Sequence, residues 1–211
     1  SMESMLYDSR VIDEILKDIS IPKMIRVKQV FERDKIEDIP LAVKDALNKK
    51  KIRSTIKPGM SIAITCGSRG VSSISAILRE IVSFVKEMGG KPFIVPAMGS
   101  HGGATAEGQK KVLESLGVTE EYCQCPILSS MQTTVIGSTP EGEPVFLDKY
   151  AASADGIIVV GRIKPHTDFQ ARYESGLMKM MAVGLGKQKG AESVHNMGPD
   201  CVGSRVELFG T

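Results

Sequence analysis

The fold is decided by residues 61–103, SIAITCGSRGVSSISAILREIVSFVKEMGGKPFIVPAMGSHGG, in which strand and helix patterns alternate. The apolar run at 61–65 predicts a buried strand, and apolar side chains at helical spacing predict a helix over residues 73–88. The two glycines at 89–90 end that helix, and a second apolar run over 92–96 predicts the next strand. A strand, a helix and a strand in this order predict a parallel pair joined by a crossover helix.

The same alternation continues on both sides of this stretch. Upstream, the predicted elements are a helix over residues 10–19, a strand over 23–31 and a short helix over 39–47. The lysines at 49–51 are interpreted as the solvated end of that last helix. Downstream, they are a helix over 105–116, a hairpin of strands 133–137 and 145–147, a helix over 150–154 and a buried strand over 156–161. The prediction is an α/β fold, a Rossmann-like sandwich whose largely parallel sheet is flanked by helices, with a small β-hairpin insertion. Residues 1–211 are assigned to one domain.

The composition is that of an ordinary globular protein. The chain has 211 residues, of which 42% are hydrophobic and 25% charged, and its formal net charge is +2. This near balance of charge gives no reason to expect a nucleic acid or an anionic membrane as a partner. No apolar run approaches the roughly 20 residues that span a bilayer, and the N-terminus lacks the pattern of a secretory signal. A cytoplasmic location is therefore expected.

The cysteines match no familiar metal-binding pattern. The chain has four, Cys66, Cys123, Cys125 and Cys201, and their spacing contains no paired CxxC. The lack of a secretory signal also argues against disulfides, so reduced thiols are expected. A metal or redox pair at Cys123 and Cys125 is the alternative.

Side chains suited to chemistry follow three of the predicted strands. Arg69, His101 and His166 each come a few residues after a strand. Because ligands of open α/β sheets bind at the carboxyl ends of the strands, these three loops are expected to meet at one edge. All of the chain's histidines, which also include His195, lie in or near loops marked by glycine or proline.

Each of these loops has a chemical and a structural interpretation. Ser68 and Arg69 lie in GSRG, a glycine-rich turn that could hold an anion at a helix N-terminus, or that could be a tight turn with a surface arginine. His101 lies between glycines in MGSHGG and could exchange a proton with a substrate, or could bond only to backbone. His166 follows a proline that restrains its loop, and Asp168 could orient its ring.

Lys179 is unusual because it lies within an apolar run. Such a lysine loses its proton more readily and can become a nucleophile, although its head could also reach water. Ser175, followed by Gly176, is a candidate N-cap of a helix whose free N-terminus could hold an anion. His195, 16 residues after Lys179, could bind nickel, zinc or copper, but no second ligand is near it in the sequence.

Taken together, GSRG, MGSHGG, IKPH, SGLMK and the distal His195 resemble the N-terminal domain of the nickel-dependent lactate racemase family, over roughly residues 60–200. These enzymes isomerise 2-hydroxy acids with a nickel-pincer nucleotide, a pyridinium mononucleotide with thioamide and thiocarboxylate arms. The resemblance implies that Lys179 carries this cofactor covalently and that His195 binds its nickel. It further implies the following roles: catalysis for His101, His166 and Arg69, and cofactor contacts for Ser68, Arg69, Ser175 and Gly176.

The resemblance also sets the expected partners. The implied substrate is a small 2-hydroxy acid, and cofactor-synthesis enzymes must load the nucleotide. Leu177 stands where the family usually has a second glycine, and Cys66 and Gly67 stand where an acidic residue is common, so the substrate need not be lactate. The family's C-terminal domain is not found in these 211 residues, and the isolated chain is expected to be inactive.

Two other classes of function compete with an isomerase. One is a non-catalytic module that binds a nucleotide or a metal, such as an iron–sulfur protein, but the four cysteines are scattered. The other is a metal-dependent hydrolase with several histidine ligands, but the close histidine pair of such sites is missing.

Overall fold

The computed structural model describes residues 23–25, 44, 47–48, 50–68, 73–138, 142, 144–160 and 185–189. The strands among these residues are β1 (Lys23–Ile25), β2 (Ser61–Cys66), β3 (Lys91–Pro96), β4 (Thr133–Ser138), β5 (Pro144–Asp148) and β6 (Gly156–Ile158). The helices among them are α1 (Lys50–Thr55), α2 (Ile74–Glu87), α3 (Ala106–Ser115), α4 (Glu120–Cys123) and α5 (Lys149–Ser153), with a 3₁₀ turn at Gly102–Ala104.

The main sheet is parallel, with the strand order β1-β6-β2-β3 among the described residues. Its strands run in register, so that Ile62 of β2 lies opposite Pro92 of β3 on one side and Gly156 of β6 on the other. Nearly all of β2 is buried, because helices and loops cover both faces of a parallel sheet. The predicted α/β fold with a largely parallel sheet is confirmed.

The crossover from β2 to β3 is made by α2, which buries one apolar stripe against the sheet. The helix stops where predicted, because the backbone turns at Gly89 with a φ of 81°. The amide of Gly90 then donates to the carbonyl of Val85 at 2.9 Å, which satisfies a carbonyl at the helix end. The buried side chains of α2 are Ile74, Ile77, Leu78, Ile81, Val82, Phe84 and Val85.

The connection after β3 is more complex than predicted. Thr105 caps α3 by accepting a hydrogen bond from the amide of Gly108 at 3.0 Å. The short helix α4, which the apolar pattern does not reveal, is capped in the same way by Thr119. The chain then pairs with the outer side of β3 through a single parallel bridge between Ile94 and Ile127.

The predicted hairpin is confirmed as the antiparallel pair β4–β5, with a bulge between Val135 and Gly137. It leads directly into α5, whose N-cap is Asp148. Helix α5 packs on the face of the sheet that α2 leaves free, in a second apolar cluster that includes Ala151, Ile157 and Leu185. The two faces of the sheet are therefore covered by different parts of the chain.

One upstream prediction is wrong. The sequence predicts that the lysines at 49–51 form the solvated end of a helix, whereas Lys50 opens α1 and the helix continues to Thr55. The pattern is misleading because lysine is itself a good helix former. The predicted helix over 10–19 lies outside the described residues, as does the predicted strand beyond Ile25. None of the helices that the structure describes is long and apolar enough to cross a bilayer.

The neighbours of β2 come from different parts of the chain. From β2 the chain moves to β3 on one side, and it later returns to place β6 on the other side. In open α/β sheets, ligands bind at the carboxyl ends of the strands. The sequence places its candidate residues in the loops at this edge.

Candidate functional site

Hydrogen bonds tie together the carboxyl ends of three neighbouring strands. The carbonyl of Cys66, at the end of β2, accepts from the amide of Ala97 just after β3, at 2.8 Å. The amide of Val160, just after β6, donates to the hydroxyl of Thr65 at 3.0 Å. The loops that follow β2, β3 and β6 therefore start from one connected edge, as the sequence predicts.

Ser68 and His101 meet across this edge. Ser68 Oγ lies 2.6 Å from His101 Nδ1, a short hydrogen bond between the loop after β2 and the loop after β3. His101 is solvent-exposed, and Ser68 is half-buried. Within the part of the chain that is described, Nε2 of His101 has no hydrogen-bond partner. The serine therefore orients the ring and leaves Nε2 available to exchange a proton with a ligand.

The loop that carries His101 lies tightly against the start of α3. Gly102 has a φ of 67°, and a Cβ on Gly108 would lie 1.8 Å from the carbonyl oxygen of Gly102. A Cβ on Gly102 would lie 2.7 Å from the backbone of Gly108 and Gln109, so this position also leaves no space for a side chain.

Gln109, on α3, holds the backbone of the same loop by hydrogen bonds. Its side-chain nitrogen Nε2 donates to the carbonyl of Gly99 at 2.8 Å and to the carbonyl of His101 at 3.1 Å. Gln109 is fully buried. Both hydrogens of its amide nitrogen therefore restrain the backbone on either side of Ser100.

A buried lysine completes this network. Lys187 is 0% exposed, and its ammonium group contacts the carbonyl of Pro96, Gln109 Oε1 at 3.3 Å and Asp148 Oδ2 at 3.4 Å. Burial lowers the pKa of Lys187, an effect that the Asp148 carboxylate opposes. Burial raises the pKa of Asp148, and the Lys187 ammonium opposes that shift. The two groups compensate each other in an interior that neither would occupy alone.

Asp148 has a second structural task. Its Oδ1 accepts hydrogen bonds from the amides of Tyr150 at 2.9 Å and Ala151 at 2.8 Å, which caps α5. Its Oδ2 accepts no hydrogen bond within the described ranges, so its contact with Lys187 is an ion pair. The carboxylate thus joins α5 to the segment around Lys187.

The structure brings together two of the predicted site residues, Ser68 and His101. The others lie outside the described residues: Arg69, His166, Ser175, Gly176, Lys179 and His195. Described residues precede and follow the stretch 161–184, which contains His166 and Lys179. The amide of Val160, just before it, donates to the hydroxyl of Thr65, and Lys187, shortly after it, contacts the last residue of β3.

Sequence reasoning missed Lys187, Gln109 and Asp148. Only Asp148 had a usable signal, since an aspartate before a short helix is a typical N-cap. Lys187 sits among glycines in a stretch whose polarity suggests a surface loop. Nothing in the local sequence indicates its partners, which lie 91, 78 and 39 residues away from it in the chain (187 − 96, 187 − 109 and 187 − 148).

The described cysteines are buried free thiols, as expected for Cys66, Cys123 and Cys125. Burial raises the pKa of the Cys66 thiol to about 12, with a further contribution from Cys123, and burial also raises the pKa of Cys125 to about 12. A thiol binds metal as the thiolate. No cluster of three or more metal-binding side chains occurs among the described residues. These observations give no support to an iron–sulfur site or to a metal pair at Cys123 and Cys125.

Comparison with known proteins identifies the family of the chain. The model of the lactate racemase N-terminal domain matches residues 7–205, which is nearly the whole chain. No curated protein and no solved structure gives a significant match. The matched range includes every candidate residue from Ser68 to His195. The chain therefore belongs to the lactate racemase N-terminal domain family.

Proposed function

We propose that this chain is the cofactor-binding and proton-transferring domain of an isomerase, a racemase or epimerase of a small 2-hydroxy acid. The observation that carries the proposal is the Ser68–His101 pair at the carboxyl ends of β2 and β3, with Nε2 of the histidine facing no described partner. The family supports a racemase-like function. The two described flanks of the segment around Lys179, at Val160 and Lys187, lie at the same edge, which supports a tether in this segment.

The proposed cofactor is a nickel-pincer nucleotide. Lys179 would carry it through a covalent bond, His195 would bind its nickel, and Ser68, Arg69, Ser175 and Gly176 would contact the nucleotide. When bound, this group supplies a centre that takes up the hydride from carbon 2 of the substrate and returns it. An imidazole nitrogen is a common nickel ligand, and a glycine-rich turn after a parallel strand suits a phosphate. The family and the fold of this edge are therefore compatible with the cofactor.

The task of His101 follows from its hydrogen bond. When Nδ1–H donates to Ser68 Oγ, the lone pair of Nε2 is free to take the proton from the substrate hydroxyl as the 2-hydroxy acid becomes a 2-keto acid. The resulting imidazolium still donates to Ser68, so the ring keeps its place and can return the proton. Ser68 can keep this contact in either protonation state of the ring, because a hydroxyl both donates and accepts.

A second base is needed for inversion. The 2-keto acid is planar at carbon 2, so inversion requires a proton donor for the oxygen on each side of the site. His166 is proposed as the second base, because it follows another strand that ends at the same edge. Arg69 would bind the carboxylate of the substrate through its planar pair of donors.

The test uses the intact protein, produced together with cofactor-synthesis enzymes that load a known family member. The expected result is a mass adduct on Lys179, about one nickel per chain, and interconversion of the enantiomers of a 2-hydroxy acid. Lys179→Ala should lose the adduct, whereas Lys189→Ala should keep it, because Lys189 is exposed and contacts only the ring of Phe146 among described residues. An unmodified mass, with loading verified on the known member, would rule out the proposal.

Isomerisation in D₂O tests the type of chemistry. Transfer as hydride predicts that the hydrogen on carbon 2 is retained in the product, because it does not pass through a solvent-exchanging base. Abstraction of that hydrogen as a proton by His101 or His166 predicts incorporation of deuterium. Mass spectrometry of the product distinguishes the two, and full deuterium incorporation would contradict the roles given to both histidines.

A further inference from the structure

Lys187 combines two unfavourable features in one residue. Its side chain is completely buried, although an ammonium group is strongly hydrated and is costly to remove from water. Its backbone has a φ of 56°, in the left-handed region that residues other than glycine seldom adopt. A glycine would relieve both costs at this position, and glycines stand nearby at 184, 186 and 190. The contacts of the lysine side chain must therefore have a specific use.

The ammonium group joins three elements that are distant in the chain. It donates to the carbonyl of Pro96 at the end of β3 and to Gln109 Oε1 on α3, and it pairs with Asp148 at the start of α5. An ammonium has three hydrogens and no acceptor. Two of these contacts are hydrogen bonds, and the third is the ion pair that balances its charge. With 0% exposure, Lys187 cannot touch a substrate in this conformation.

The contact with Gln109 determines which way the glutamine amide points. Because Lys187 can only donate, it selects the orientation in which Oε1 faces the ammonium and Nε2 faces the opposite way. In that orientation Nε2 donates to the carbonyls of Gly99 and His101. In the flipped orientation, an NH₂ group would face the ammonium and an oxygen would face the two carbonyls, so all three hydrogen bonds would be lost.

We propose that Lys187 is a positioning residue, which holds the loop of His101 through the amide of Gln109 and anchors the segment after Lys179 to that loop. The inference rests on the proposed function, since it gives the loop a purpose only if His101 transfers protons. Gln109 restrains the carbonyl of His101, and the hydrogen bond between Ser68 and Nδ1 restrains its ring. The base is thus held through both its backbone and its ring.

The first measurement concerns the loop and does not depend on activity. Amide hydrogen exchange is followed in the intact, cofactor-loaded protein for residues 98–104, where the amide of His101 donates to Met98 and that of Ala104 to Ser100. Lys187→Met, which keeps the length of the side chain but removes the donors, should accelerate exchange in this loop about tenfold. Lys189→Met, an exposed lysine two residues later, is the matched control and should leave exchange unchanged.

The second measurement separates positioning from general stability. Gln109→Glu keeps an acceptor for Lys187 and the same volume, but it cannot donate to the carbonyls of Gly99 and His101. It should therefore accelerate exchange in the loop, lower kcat by about 100-fold through misplacement of the base, and leave KM and the mass adduct on Lys179 close to their original values. Gln109→Glu retains both members of the Lys187–Asp148 pair, so it decides the question where Lys187→Met does not fold.

The outcomes distinguish this inference from the proposed function. Lys187→Met and Gln109→Glu could both accelerate loop exchange although the unsubstituted protein carries no adduct and does not isomerise. That result would retain the link from Lys187 to the loop and remove the proposed role of His101. Normal isomerisation with unchanged loop exchange and unchanged kcat in Gln109→Glu would overturn the inference and retain the proposed function. A fall in adduct without a change in loop exchange would also overturn it, since Lys187 would then serve cofactor attachment and not the loop.

Discussion

Two polar clusters lie within one loop of each other and differ in almost every physical respect. The Ser68–His101 pair is accessible to solvent, and the structure describes one hydrogen bond between its side chains, at 2.6 Å. The cluster of Lys187, Gln109 and Asp148 is fully buried, and its ammonium group contacts three acceptors. Gln109 connects the two, because its amide also binds the carbonyl of His101.

The difference between the clusters shows how polar residues divide their tasks. In the proposed function, a group that transfers protons must keep a nitrogen that can reach a ligand, as His101 does with Nε2. A group that fixes geometry is more effective when it is paired and water is excluded, as at Lys187. The proposed division is that the buried cluster holds the position of the exposed pair, which keeps the capacity to react.

The largest effect is expected from removing the reactive member of the exposed pair. His101→Ala should lower the rate of isomerisation by about 1,000-fold, because it removes a general base, while the mass adduct on Lys179 and the melting temperature stay unchanged. Ser100→Ala, the exposed neighbour in the same loop, is the control and should be fully active. Isomerisation is measured by chiral chromatography. Full activity of His101→Ala would assign the base to another residue.

The buried cluster should show its effect in stability. Lys187→Met leaves the Asp148 carboxylate without its counter-charge in the interior, which is expected to lower the free energy of unfolding by about 3–5 kcal/mol. The matched control is Lys111→Met, which breaks an exposed i,i+4 pair with Glu107 at 3.0 Å and should have no measurable effect, because water screens such a pair. Urea unfolding of both variants gives the comparison. Equal effects would mean that burial does not distinguish the two pairs.

Cys66 is a fully buried thiol close to the exposed pair. It lies two residues before Ser68 in the chain and is 0% exposed. Burial raises its pKa to about 12 from the ordinary value of 9.0. As pH rises between these values, the unfolded chain loses the thiol proton first, so stability is complete below about pH 9 and falls above it. Over this range, one such thiol lowers the free energy of unfolding by about 1.4 kcal/mol per pH unit. Urea unfolding from pH 8 to 11 should give a shallower decline for Cys66→Ala than for the native chain, and parallel declines would contradict this.

The smallest effect is expected at Ser68. Ser68→Ala removes the hydrogen bond to Nδ1 but leaves the base itself, so kcat should fall by about tenfold, the equivalent of one hydrogen bond. The control for this change is Ser68→Thr, which keeps a hydroxyl and should recover most of the rate. The ¹⁵N signals of the His101 ring should shift in Ser68→Ala, because Nδ1 loses its hydrogen-bond partner. Unchanged signals in that variant would mean that Ser68 does not hold the ring.

Much of the fold could be predicted because its signals are local. The apolar run of β2, the buried stripe of α2 and the glycine after that helix each depend on residues near one another in the chain, and each is confirmed. Helix α4 was missed, because four residues leave too short a periodic pattern. The prediction for the lysines at 49–51 is wrong, since charge marks a solvated surface without showing where a helix starts.

The candidate site likewise has a part that local signals predict and a part that they do not. The sequence by itself determined that His101 and Ser68 follow parallel strands, and parallel strands end at a common edge, so their proximity follows from the order of strands and helices along the chain. Only the tertiary structure decided that Gln109 supports the loop of His101 and that Lys187 selects the orientation of that glutamine. Strands and helices can be inferred from periodicity, because one face of each element must be buried. The partner of a buried charge cannot, because it is set by the packing of segments up to 91 residues apart in the chain.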